Sequence, residues 1–375
     1  MTNRIAVALL ALAALAGCKS PDRTHEELPS DPAGQTSGVV EHELYWHQRG
    51  SDATKAIWSK FRVSNGVSLI GEENGVAPSF GFAVESFNLL LDSVSSFWRT
   101  DLASEAVSAY FHDFAAVYPD RSACAGNYEI LRWAIACIRA SRVTGNRLYL
   151  EEGRSLYDAV WLGQVDNALD GGMWGRSDVK SEKSAAANLC AVVAAISLYY
   201  STQDVKYLLQ ARRLYKWTVQ RLVDPSTGMV YAWIAADGSR AKSMLAGDAG
   251  VFISASMRLY RATGSGVYLA NAKKTADLLI ADLGDSSAKA CVVEGDSLSR
   301  GIAMRCLSEL ARRPGCEKYR EYILSNARSA WTSRRLSDGL NGSDWSKTPD
   351  VGDVVAPRHA VAAAVLYFSA SRACR

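Results

Sequence analysis

Short polar turns, recurring at near-equal intervals, limit what this chain can fold into. Thr144-Gly145-Asn146, Ser201-Thr202-Gln203 and Thr263-Gly264-Ser265 each precede a Tyr-Leu pair, at Tyr149-Leu150, Tyr207-Leu208 and Tyr268-Leu269, and Pro314-Gly315-Cys316 is followed by Tyr319. Tyrosine to tyrosine the spacings are 58, 61 and 51 residues, which fits one helical hairpin per repeat.

The rest of the chain fills the same frame. Twelve helical segments are expected to begin near Ala53, Phe80, Asp101, Asn127, Arg147, Lys183, Asp204, Asp248, Gly266, Asp296, Glu317 and Arg358, with few alternating β-branched runs between them. They differ in character. Those starting near Asn127, Lys183, Asp248 and Arg358 are rich in Ala, Val, Ile and Leu, as in Ala191-Val192-Val193-Ala194-Ala195-Ile196, whereas those between them carry Lys, Arg and Glu at regular intervals. All-round apolar helices belong inside and one-sided helices outside. Six of each make an all-α (α/α)6 barrel, and an open superhelix of hairpins is the alternative that the pattern leaves standing.

The first residues stand apart from this fold. Arg4 and the apolar run Ile5 to Ala14 make a short signal sequence, followed by Leu15-Ala16-Gly17-Cys18, which resembles the bacterial lipobox. That resemblance implies cleavage before Cys18 and a lipid on its thiol, and Lys19 after it favours the outer membrane if the cell is Gram-negative. Up to residue 40 the chain is polar and reads as a tether. The expected organisation is therefore a signal peptide at 1–17, a lipidated tether at 18–40 and one domain at 41–375. No later stretch is expected to be long and apolar enough to cross a membrane.

Charge excludes little. Without Arg4, 41 basic residues stand against 39 acidic ones, and no basic run alternates with aromatics, so nucleic acid is not an expected partner. Of eight cysteines, Cys137, Cys190 and Cys306 fall in apolar helical patterns. Cys124, Cys291, Cys316 and Cys374 lie near helix ends, where one or two disulfides are expected. Cysteines and histidines are scattered without metal-ligand spacing, so no metal is implied.

Chemistry concentrates where loops enter the inner helices. In Cys124-Ala125-Gly126-Asn127-Tyr128-Glu129-Ile130-Leu131-Arg132-Trp133 a carboxylate sits in the first turn of an apolar helix. Glu129 there either caps its own backbone, the commoner arrangement, or points into a cavity. The equivalent loops bring Asp170 and Trp174, Tyr231 and Trp233 with Asp248, Asp296, and Asp344 with Trp345. Carboxylates and aromatics together suit a sugar, whose ring has an apolar face and a rim of hydroxyls. Asp248 and Asp296 serve equally well as helix caps, while Trp133 and Trp217 read as packing.

Several of these segments, taken in order, resemble a known family. Asp170-Gly171-Gly172-Met173-Trp174, Lys183-Ser184-Ala185-Ala186-Ala187-Asn188, Gly228-Met229-Val230-Tyr231, Gly250-Val251-Phe252-Ile253, Leu259-Tyr260-Arg261-Ala262-Thr263-Gly264 and Gly301-Ile302-Ala303-Met304-Arg305 are similar to glycoside hydrolase family 76, whose members are (α/α)6-barrel α-1,6-mannanases. The resemblance runs from about Phe80 to the end. It implies a retaining endo-α-1,6-mannanase-like enzyme that takes an α-mannan-like polysaccharide, needs no cofactor and works as a monomer, held to a membrane only by its lipid. It also adds Asn188 to the expected substrate contacts, beside Asp170, Trp174, Tyr231, Trp233, Asp296 and Trp345.

The family's catalytic centre is a pair of adjacent aspartates opening an inner helix. Matched through Trp133-Ala134-Ile135-Ala136, that pair falls on Tyr128 and Glu129, so Tyr128 stands where the nucleophile is expected. The family's Tyr-Asn-Gln before Gly250 is likewise replaced, by Gly247-Asp248-Ala249. One consequence is an active enzyme with Glu129 as acid/base and Asp248 in the missing role, Tyr128 being a nucleophile only with a base to activate it. The others are a catalytically inactive glycan-binding lipoprotein of the same fold and an envelope protein with a vestigial cavity.

Overall fold

Each repeat folds as an outer helix followed by an inner one. A computed structural model describes residues 41–63, 68–72, 77–94, 100–121, 124, 126–241, 244–283 and 297–375. Asp296, Cys291 and the whole signal and tether, with Cys18, lie outside the described residues. In chain order the pairs are α1 (Glu43–Phe61) and α2 (Phe80–Val94), α3 (Thr100–Val117) and α4 (Asn127–Thr144), α5 (Arg147–Gln164) and α6 (Ala185–Thr202), α7 (Val205–Leu222) and α8 (Ala246–Thr263), α9 (Gly266–Leu283) and α10 (Ser297–Ala311), and α11 (Glu317–Thr332) and α12 (Pro357–Ala373). Neighbouring inner helices pack on one another all the way round, and α12 packs on α2. The inner ring is therefore closed, an (α/α)6 barrel and not an open superhelix.

The repeated turns have one mechanism. Gly145, Gln203 and Gly264 end α4, α6 and α8 in the left-handed conformation, at φ 73°, 59° and 71°. Asn146 and Asp204 then cap α5 and α7, accepting from the amides of Leu148 and Lys206. The repeated tyrosines explain the spacing, because several of them tie an outer helix to the outer helix before it. Tyr207 on α7 donates to Asp158 on α5 (3.2 Å), Tyr319 on α11 donates to Asp277 on α9 (2.7 Å), and the ring of Tyr268 on α9 meets Tyr215 on α7 edge-on at 5.1 Å.

The inner ring is tight where small residues allow it. A Cβ on Gly250 of α8 would lie 2.7 Å from the Ala303 Cα of α10, and one on Gly301 of α10 would lie 3.1 Å from the Ala362 Cα of α12. Two of the family-like segments are thus accounted for by close helix approach. Between the rings, the fully buried Trp133 stacks on Phe114 and on Phe111, and touches Phe87, locking α4 to α2 and α3. Ser371 near the end of α12 donates to the Glu43 carbonyl at 2.9 Å, joining the last helix to the first.

Three expectations need correction. α1 begins at Glu43, ten residues before Ala53, and runs unbroken through Arg49-Gly50-Ser51. Gly50 lies under the Phe368 ring, where a Cβ would come within 2.8 Å. The cysteines Cys124, Cys316 and Cys374 carry free thiols, so no disulfide forms among the described residues. Finally, α6 is long and apolar enough by composition to cross a membrane, but most of it is buried between α4 and α8.

Candidate active site

The six inner helices run parallel, so their N-termini meet at one end of the barrel and open a cavity of about 1050 Å³ along its axis. Its mouth brings together Tyr128 and Glu129 from α4, Asp248 from α8 and Trp233. Trp233 sits on β2 (Trp233–Ala235), which pairs antiparallel with β1 (Glu182–Ser184), Ser184 opposite Trp233. This short ladder holds the half-buried indole against the opening.

Glu129 is not a helix cap. Gly126 at the N-cap of α4 has no side-chain capping bond. The Glu129 carboxylate accepts a hydrogen bond from the Cys124 thiol at 2.9 Å and lies between two glycines. A Cβ on Gly81 would stand 2.7 Å from its Oε1, and one on Gly126 would stand 3.0 Å from its Oε2. Those missing methyl groups make room for the longer glutamate side chain. The neighbours stay protonated: burial, and next the bond to Glu129, push the Cys124 thiol up to about 12, and burial with the Glu129 charge pushes the Tyr128 phenol up to about 12.

Asp248 differs from Glu129. It lies in the first turn of α8, whose N-cap is Leu245, and it makes no capping bond. Its side chain is buried (7% exposed), and among the described residues nothing hydrogen-bonds its carboxyl. Burial alone therefore raises it, from an ordinary 3.8 to about 7. A carboxylic acid that keeps its proton near neutrality thus faces the same cavity as a hydrogen-bonded carboxylate.

Other expected contacts lie elsewhere. Trp345 is fully buried, with the Arg300 guanidinium 5.0 Å from its ring, and offers a sugar no surface. Trp174 is also buried and donates through Nε1 to Asp166 (2.6 Å), while the Lys183 ammonium lies 4.7 Å from its ring. Asn188 is buried and bonded to both the amide and the carbonyl of Met173, at 2.8 and 2.9 Å. Lys183, fully buried, gathers Asp166 and the carbonyls of Ala168, Gly171 and Gly172. The loop they fix presents the Trp174 carbonyl to the Asn127 side chain at 2.8 Å, setting the start of α4 and with it Glu129. Asp170 is exposed and paired with Arg221, and the Tyr231 ring is covered by Arg240. Neither lines the cavity.

Sequence reasoning missed Cys124 as the partner of Glu129, and it missed the arginines of the inner helices. α4 is not apolar all round: Arg132, Arg139 and Arg142 fall on one stripe and face the axis. Their spacing of seven and three residues was the available signal.

Comparison with known proteins points the same way as the fold. The family model of glycosyl hydrolase family 76 matches residues 92–370. The α-1,6-mannanase from Salegentibacter sp. HEL1_6 superposes with a TM-score of 0.78 at 23% identity, covering 87% of this chain and 98% of that one. A variant of that enzyme described as inactive, with two aspartates changed to asparagine and in complex with α-1,6-mannotriose, gives 0.79 at 23% over 87% and 99%. An α-mannanase from Bacteroides thetaiotaomicron gives 0.75 at 21% over 88% and 96%. No curated protein sequence matches the chain. At these identities the structural likeness speaks for the fold.

Proposed function

Because the chain belongs to glycosyl hydrolase family 76, we propose that it cleaves an α-1,6-linked mannan-like glycan with Asp248 and Glu129 as its working carboxylates. One observation carries this reading: a buried, unpartnered carboxyl raised to about 7 and a hydrogen-bonded carboxylate face one cavity. Asp248 donates its proton to the glycosidic oxygen as the bond to the anomeric carbon breaks. Glu129, as the charged partner, forms an ester with that carbon, which water then hydrolyses while giving its proton back to Asp248. The roles are the reverse of those the sequence suggested, because burial without a donor suits Asp248 to the acid. Tyr128 stays a phenol, and Trp233 offers the sugar an apolar wall.

The test is release of reducing ends from α-1,6-mannan, with Asp248→Asn and Glu129→Gln as controls. Loss of release in each variant, with glycan binding retained, supports the pair. Undiminished release by the Asp248→Asn variant would discard it. A second reading, a barrel that holds glycan without cleaving it, is favoured by Tyr128, whose protonated phenol supplies no nucleophile. It predicts binding without release in all three proteins.

The sequence Leu15-Ala16-Gly17-Cys18 further supports anchorage of the enzyme to the cell envelope through a lipid on Cys18. Metabolic labelling with a tritiated fatty acid, lost in a Cys18→Ser variant, is the check.

A further inference from the structure

Catalysis at the mouth leaves the inner half of the cavity without a role, and that half is lined with guanidinium groups. From Glu129 the inward stripe of α4 descends through Arg132 and Arg139 to Arg142, roughly 20 Å at 1.5 Å per residue. α8 and α10 contribute Arg258, Arg261 and Arg305 to the same walls.

The acids there are too few. Asp92 is shared by Arg139, Arg305 and Arg372, Glu85 by Arg132 and Arg305, and Glu309 by Arg258 and Arg261. Arg142 meets no carboxylate in the described residues and donates to the Ser197 carbonyl and the Ser201 hydroxyl. Among the described residues, these seven arginines thus share three carboxylates, a surplus of four positive charges. The surplus shows in the groups themselves. Burial would raise Asp92, yet Arg372, Arg305 and Arg139 hold it well below the usual carboxylate range. Arg142 is lowered by burial and then by Arg258 and Arg139 beside it. The buried Nη2 of Arg305 has no acceptor among the described residues. Arg142 and Arg261 are open to solvent and Arg139, Arg258 and Arg372 are partly so, so the surplus stands in a water-filled cleft, whose walls of one sign concentrate anions.

Guanidinium forks fit tetrahedral oxyanions with two bonds at a time. We propose that the inner half of the barrel cavity is a binding site for an oxyanion of the phosphate or sulfate class, free or carried on a sugar chain, held by Arg139, Arg142 and Arg258. The anion supplies the negative charge that the protein's own carboxylates leave short. If it is carried on a sugar, the site extends the glycan reading to an anionic substrate and rests on it. If it is free, it does not.

Calorimetric titration of the full-length protein in non-ionic detergent with inorganic phosphate, and separately with sulfate, at constant ionic strength against chloride, tests the site. Saturable binding is expected with a Kd at or below the low-millimolar range, roughly tenfold weaker for Arg142→Met, which removes one charged donor and orphans no acid. Glu309→Gln removes the carboxylate competing for Arg258 and Arg261 and should bind several-fold more tightly. Absence of saturation up to about 50 mM, or equal binding by the wild type and both variants, overturns the proposal. Should Arg142→Met not fold, failure of Glu309→Gln to bind more tightly overturns it alone. A hexose 6-phosphate that binds more tightly than inorganic phosphate assigns the anion to a sugar chain, and equal or weaker binding assigns it to the free ion. Neither titration depends on hydrolysis of neutral mannan, so the two readings fail separately.

Discussion

Replacing Asp248 with asparagine is expected to stabilise the protein at alkaline pH and to leave it unchanged in acid. Burial raises the Asp248 carboxyl from 3.8 to about 7, so the folded chain holds a proton that the unfolded chain releases over that window. The stability associated with this proton is complete below pH 3.8, declines as the pH rises, and is gone above about 7. At 1.36 kcal/mol for each pH unit the loss amounts to about 4 kcal/mol. Water reaching the carboxylate through the cavity would reduce this, and a measured ~2 kcal/mol would still carry the argument. Asparagine is nearly isosteric with the protonated acid and does not titrate. Urea unfolding of both proteins, followed by tryptophan fluorescence at several pH values between 4 and 8, isolates the effect, because every other titrating group cancels in the difference. The variant should match the wild type near pH 4 and exceed it by about 2–4 kcal/mol at pH 8. A difference that stays constant across this range would refute the burial argument and the assignment of Asp248 as the acid.

Alkylation of Cys124 by iodoacetamide at pH 8, read by mass spectrometry, should be slow in the wild type and several-fold faster in Glu129→Gln, which removes the charge and the bond that, after burial, hold the thiol protonated. An unchanged rate would mean that Glu129 does not control this thiol. Gly81→Ala puts a methyl group 2.7 Å from Glu129 Oε1 and should reduce turnover at least tenfold while circular dichroism shows an intact barrel; full activity would show that the cradle is not needed. Tyr319→Phe loses the bond to Asp277 that ties α11 to α9 and should cost about 1 kcal/mol in urea unfolding, with no effect on glycan binding.

The barrel was legible because its period has a physical cause that recurs in the sequence. A left-handed C-cap, an N-cap and a tyrosine bound to the preceding outer helix need particular residue types at particular places, as at Gly145, Asn146 and Tyr207. The site was legible only in part. A carboxylate in a first helical turn carries the same sequence signal whether it caps the helix or faces a cavity, and Glu129 and Asp248 are told apart from caps only by what surrounds them. Loop tryptophans are ambiguous in the same way: Trp174 and Trp345 are buried, with Lys183 and Arg300 against their rings, and loop position does not signal such contacts. The arginines were hidden for a further reason. An inner helix of a barrel has two faces, one against the outer ring and one toward the axis, and a polar axis-facing stripe looks in sequence like a solvent-facing one. Arg132, Arg139 and Arg142 therefore read as surface until the ring is closed around them. Closure turns the stripe into a wall, and the same three residues then decide the charge that the cavity accepts.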